Sequence, residues 1–167
     1  MKSKRTQAAG ASSPVNKTLV ADARRAVATC AGLNIRLAAR RISNFLDAQI
    51  KATGLTIAQF GLMTHIAAAG DDTLGALAER AGLDQSTLSR NLRGLEQAGL
   101  VEIAIVEKDL RRRSAWLTEL GARRLESAMP AWRRAQEALS AAIRPKDVEA
   151  LATASAALGQ STASIET

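Results

Sequence analysis

Cysteine and histidine each occur once, as Cys30 and His65, and tyrosine does not occur at all. A single thiol closes no internal disulfide. One cysteine and one histidine, far apart in the chain, build neither a zinc site nor a nucleophile–histidine triad. No glycine-rich loop of the phosphate-cradling kind is present. An enzyme, a bound metal and a cofactor are therefore not expected. Aromatic side chains are scarce, with two Trp and two Phe, and proline stands at only three positions. Little in the chain interrupts helix formation. No apolar run approaches the ~20 residues of a membrane span, so no membrane partner is expected. The basic N-terminus lacks the apolar centre of a secretory signal. The expected location is a reducing cytoplasm.

What the chain does have is Ala and Leu in quantity, which favours helix. Its 167 residues suit one domain, or one domain with dimerising helices. The net charge is +7, which invites an acidic partner such as nucleic acid, but the charge is unevenly placed. Residues 1–53 hold ten Lys and Arg against only Asp22 and Asp47, whereas residues 71–120 are slightly acidic. A nucleic-acid reading therefore rests on where the cations point rather than on the bulk charge.

The chain is organised around Thr73–Gly121. Ala78 and Gly82 are spaced for two helices meeting at a tight turn. Gly82 suits the positive-φ residue that ends a helix. Asp84 suits the N-cap of the next helix, and Leu83 and Leu88 suit a hydrophobic staple. A helix from Gln85 puts Leu88, Leu92 and Leu95 on one face. Gln85, Ser86, Thr87, Ser89, Arg90 and Arg93 supply donors, acceptors and two cations on the rest. Such a set can read base edges in the major groove and hold phosphates. An ordinary solvated helix face is the competing reading.

After the stop at Ala98-Gly99, LVEIAIVE alternates apolar residues at Val101, Ile103 and Ile105, as a strand does. KDLRRR follows, and SAWLT returns. The hairpin tip gathers Lys108, Arg111, Arg112 and Arg113, with Asp109 placed to steer Arg111. Four cations on one tip repel each other, and phosphate or a narrow minor groove relieves that repulsion. A solvated loop is the alternative for the arginine run alone.

These pieces together resemble the MarR-type (multiple antibiotic resistance regulator) winged-helix transcription factors. The resemblance lies in Gly54–Phe60 (GLTIAQF), Leu77–Gly82 (LAERAG), Ser86–Arg90 (STLSR), Leu95–Val101 (LEQAGLV), the Asp109-x-Arg111 pair and Leu117–Gly121 (LTELG). It extends over residues 30–143. It implies that the helix over 85–97 lies in the major groove, that Arg111 enters the minor groove and that Asp109 steadies it. One departure is at Ile103 and Ala104, where relatives often carry Arg, so this wing depends more on its tip.

The expected fold is thus mainly α with a small β-wing: a winged helix-turn-helix flanked by long dimerisation helices. Residues 1–16 are expected as a disordered basic tail and 17–54 as an N-terminal dimerisation helix region, with Leu33, Leu37, Ala38, Ile42, Phe45, Leu46 and Ile50 in one stripe and Gly32 as a break. Thr56 and Gln59 form a capping box. Residues 55–120 form the winged helix-turn-helix DNA-binding domain. Residues 121–160 form C-terminal dimerisation helices, with Pro130 expected to kink the first or leave a carbonyl unpaired and the last ending at Gly159, and 161–167 a frayed tail.

The expected function is a sequence-specific transcriptional regulator that binds double-stranded DNA as a homodimer on a pseudo-palindrome. The resemblance implies a repressor released by a small aromatic or phenolic effector. Asn34, Arg40 and His65 are the weak candidates for touching it. Some relatives sense peroxide through a cysteine, but that position falls here on Gly32, so Cys30 is expected to be buried and inert. A winged-helix module that binds protein instead of DNA is the alternative.

Overall fold

The computed structural model describes residues 14–69, 73–105 and 113–162. Seven helices and a two-stranded hairpin follow one another there. They are α1 (Pro14–Thr29), α2 (Ala31–Ile50), α3 (Ile57–Ala69), α4 (Leu74–Ala81), α5 (Gln85–Gln97), β1 (Val101–Ile105), β2 (Arg113–Leu117), α6 (Glu119–Ala142) and α7 (Pro145–Thr162). A 3-10 turn, Lys51–Thr53, joins α2 to the loop before α3. The chain divides into two compact units, residues 1–44 and 45–167.

In the first unit, helix begins at Pro14, inside the segment expected to be disordered. Proline suits a first turn because its missing N–H would have no intrahelical partner there. The break between α1 and α2 falls at Cys30 rather than at Gly32. Cys30 N still donates to Ala26 O at 2.9 Å and Asn34 N to Cys30 O at 3.1 Å, so hydrogen bonds span the interruption. The Asn34 side-chain amide adds a 3.2 Å bond to Ala28 O across the same point. Cys30 is exposed, which corrects the expectation of a buried thiol. The expected apolar stripe also divides: Leu33 and Leu37 are exposed, while Leu46 and Ile50, in the second unit, are buried.

The second unit is built on one core. Phe60, Leu62, Met63 and Ile66 of α3, Leu77 and Ala78 of α4, and Leu88, Leu92 and Leu95 of α5 are buried together. Ile50, Leu55, Leu100, Val101, Ala115, Leu125 and Ala128 complete it. This composition moves two expected boundaries. The unit starts at Phe45, ahead of residue 55, since Ile50 packs into it. The start of α6 is core rather than purely dimerisation surface, since Leu125 and Ala128 are buried there. Phe60 stacks on Trp132 with ring centroids 5.8 Å apart, which joins α3 to the middle of α6.

The local signals explain the helix ends. Thr56 N donates to Gln59 Oε1 at 3.0 Å and Gln59 N to Thr56 Oγ1 at 3.2 Å, a reciprocal capping box. The Asp47 carboxylate adds a 2.6 Å bond from Ile57 N. Thr73 caps α4 by accepting from Ala76 N. Helix α6 runs through Pro130 without a break, although Pro130 leaves the Glu126 carbonyl without its usual donor. Helix α7 continues past Gly159 to Thr162, beyond the expected stop and into the segment expected to fray.

The hairpin pairs Val101 with Leu117 through Ile105 with Arg113, antiparallel. Thr73 bridges Ser114 on the far side of β2. The expected alternation holds at Val101, which is buried, and at Ile103, which packs against the core. It fails at Ile105, which is 51% exposed because the hairpin has left the core by that point.

Candidate nucleic-acid interface

Helix α5 is held at both ends by chemistry its own sequence supplies. Before it, Gly82 closes α4 at φ 62°, and Leu83 N donates to Ala78 O at 2.9 Å. After it, Gly99 stands at φ 68°, with Gly99 N donating to Glu96 O and Leu100 N to Leu95 O, both at 2.9 Å. This is a Schellman stop, and its C3 and C″ residues, Leu95 and Leu100, are both buried. Leu88, Leu92 and Leu95 anchor the inner face at 2% exposure or less. The opposite face is wet: Gln85, Ser86, Ser89, Arg90 and Arg93 are exposed and Thr87 is half-buried.

At the start of α5, Asp84 accepts from three groups. Thr87 N donates to its Oδ1 at 2.8 Å, Ser86 Oγ to Oδ1 at 2.6 Å and Thr87 Oγ1 to Oδ2 at 2.9 Å. The Ser86 hydroxyl and then the Thr87 amide and hydroxyl lower the Asp84 pKa from 3.8 to about 2. Each bond favours the ionised form, so Asp84 is a carboxylate at any physiological pH. Sequence reasoning saw Asp84 only as a cap. Its hold on two side chains of the outer face depends on rotamers that no pattern reveals.

The hairpin stands beside this helix. Arg113, exposed at the start of β2, lines a 260 Å³ cleft together with Gln85, Ser89 and Arg93 of α5. Leu88, Leu92, Leu74 and Ile103 also line it, and among the described residues Glu96 is its one carboxylate. Among the described residues, Arg90, Arg93 and Arg113 form no ion pair with a carboxylate. Three cations thus stand on the exposed side without internal partners, which leaves them free for an anionic polymer. Lys108, Asp109, Arg111 and Arg112 lie outside the described residues. The approach of α6 closes the back of the hairpin. Thr118 N donates to Leu100 O at 3.1 Å, and Thr118 Oγ1 donates to Gly99 O at 2.6 Å while accepting from Gly121 N at 2.9 Å.

Other expected site residues lie elsewhere. Asn34 and Arg40 belong to the first unit, where both are exposed. His65 is half-buried on α3 of the second. Among the described residues no His, Cys, Asp or Glu cluster could hold a metal ion, and no helix is long and apolar enough to cross a membrane.

Helix, tight turn, polar-faced second helix and paired strands define a winged helix-turn-helix. Residues 53–112 match the MarR family pattern. The DNA-bound transcriptional regulator MosR of M. tuberculosis is 31% identical, with a TM-score of 0.71 over 83% of this chain and 99% of that one. The chain belongs to the MarR family of DNA-binding transcriptional regulators. Two more distant structures share the fold. The transcriptional repressor CouR, solved on a 23-mer DNA duplex, is 21% identical with a TM-score of 0.67, covering 80% of this chain and 95% of its own. The regulator PcaV of Streptomyces coelicolor, solved with its natural ligand, is 19% identical with a TM-score of 0.69, covering 81% and 96%. No curated protein is similar enough in sequence to match.

Proposed function

We propose that this chain acts as a homodimeric repressor that places α5 in the major groove and its wing in the flanking minor groove. The observation that carries this reading is the shared cleft: Arg113 of the wing strand β2 and Gln85, Ser89 and Arg93 of α5 line one concave surface. A duplex lying on that surface meets both elements at once. Gln85, Ser86, Ser89 and Arg90 then face base edges, with Thr87 behind them. Arg93, Arg113 and the tip residues Lys108, Arg111 and Arg112 meet phosphate or minor groove, with Asp109 steering Arg111.

Dimerisation is supported by apolar side chains left in water within each unit. Leu19, Val20, Val27, Leu33, Ile35 and Leu37 are exposed in the first, and Val148, Leu151 and Leu158 in the second. Isolated exposed apolar residues are ordinary, but rows of them on helices at a chain's two ends mark an interaction surface. A two-fold dimer presents two copies of α5 to half-sites about one helical turn, ~10 bp, apart. Control by a small aromatic or phenolic ligand is the regulatory counterpart of this reading. The proposal also keeps the protein cytoplasmic.

Selection of bound duplexes from random DNA tests the DNA reading, and light scattering of the purified protein tests the dimer. The reading requires a pseudo-palindromic consensus, twice the chain mass, and release of the selected duplex by at least one aromatic acid or phenol. A monomer, or binding without sequence preference, contradicts it.

A further inference from the structure

Ser86 is the most exposed hydroxyl on the first turn of α5, yet its proton is already engaged. A serine hydroxyl has one hydrogen to donate and two lone pairs that accept. Here the hydrogen goes to Asp84 Oδ1 at 2.6 Å. Thr87 does the same toward Oδ2 at 2.9 Å. A hydroxyl bound to a carboxylate makes a charge-assisted bond, about twice as strong as a neutral one. Turning that hydrogen toward DNA would give up this charge-assisted bond and leave Asp84 Oδ1 with the Thr87 amide alone, beside a polyanion. While Asp84 is ionised, therefore, Ser86 offers the groove only its lone pairs.

From this geometry we infer that Asp84 sets the hydrogen-bond polarity of Ser86, making it an acceptor that selects cytosine or adenine on the contacted strand. In the major groove cytosine presents its N4 amino group and adenine its N6 amino group as donors. Guanine presents only O6 and N7, and thymine only O4 and a methyl group, none of which can give a hydrogen to Ser86. Phosphate oxygens are acceptors too, so Ser86 is excluded from backbone contact and left for the bases. Asp84 is thus a positioning residue acting through Ser86. The pKa of about 2 keeps it ionised throughout the physiological range. The inference rests on α5 entering the major groove.

The test compares duplexes selected from random DNA by the wild-type dimer, Ser86→Ala and Asp84→Gly. Glycine is tolerated at an N-cap, so the helix start is kept while both acceptor oxygens are lost; asparagine would not serve, because its Oδ1 would keep both the Thr87 amide and the Ser86 hydroxyl. Wild type should enrich cytosine or adenine at one position per half-site by roughly three- to tenfold, the worth of one hydrogen bond. Ser86→Ala should flatten that position and leave the others unchanged. Asp84→Gly should admit guanine or thymine there, because the Ser86 proton is then free to be donated. A purely structural role for Asp84 would instead weaken every position together. An Asp84→Gly consensus identical to wild type, or a Ser86→Ala consensus identical to wild type, overturns the inference while leaving the DNA-binding reading intact. Failure of the wild type to select any sequence overturns both.

Discussion

Gly121 offers the sharpest test of how the DNA-binding face is held. It lies in the first turn of α6, and a Cβ built on it would sit 1.9 Å from Leu100 O, a separation real Cβ atoms do not tolerate below 3.0 Å. Replacement by alanine therefore forces the start of α6 back by about 1 Å against a close-packed interior. That movement breaks the bonds from Thr118 N to Leu100 O at 3.1 Å and from Thr118 Oγ1 to Gly99 O at 2.6 Å. Each contributes about 1 kcal/mol. Displacing Leu125 and Ala128, both buried in the core, adds about 1–3 kcal/mol of misfit. Alanine's better helix propensity returns about 1 kcal/mol. The net expectation is a loss of about 2–4 kcal/mol in urea unfolding at unchanged slope. Operator binding should also weaken below the unfolding transition, because the clasp fixes the turn behind α5. A Gly121→Ala protein more stable than wild type by the propensity term alone would refute the reasoning.

Three further outcomes are expected. Ser114 is fully buried and its Oγ has no hydrogen-bond partner among the described residues, so Ser114→Ala should be neutral or stabilising by about 1 kcal/mol in thermal unfolding; a clear loss would mean the hydroxyl has a partner. The Asp84 carboxyl has its pKa depressed in the folded chain, so its contribution to stability is full above 3.8 and is lost as the pH falls toward about 2. The stability difference between wild type and Asp84→Ala should therefore shrink across that interval, and a difference that stays constant with pH contradicts the bonding described. Arg90→Ala should weaken binding to a selected duplex by about 1–3 kcal/mol and relax one base position; unchanged affinity and consensus would remove Arg90 from the interface.

Much of the second unit was legible in the chain because its signals are local. Gly82, Asp84 and Gly99 act on neighbours within a few residues, and the leucine spacing of α5 carries its burial directly. Features made by distant contacts were not legible. Asp47 caps α3 from ten residues upstream, and only the fold brings the two together. Gly121 reads as a poor helix residue until Leu100 is seen against it. Ile105 continues the alternating pattern, but the core ends before it. Gly159 fails as a stop because a glycine ends a helix only where the chain turns. At the site, residue types and spacing pointed to the outer face of α5, which is exposed. The engagement of Ser86 and Thr87 by Asp84 depends on side-chain rotamers, which no pattern in the chain encodes.

The claim that helix and wing grip one duplex is tested most directly by the salt dependence of binding. Affinity for a selected duplex should be followed by fluorescence anisotropy across a salt series for wild type, Arg93→Ala and Arg113→Ala. Both variants are expected to bind more weakly and to flatten the slope of log K against log salt by about 1 each. An Arg113→Ala protein indistinguishable from wild type in affinity and slope, beside a weakened Arg93→Ala, would place this strand of the wing off the DNA and contradict the account.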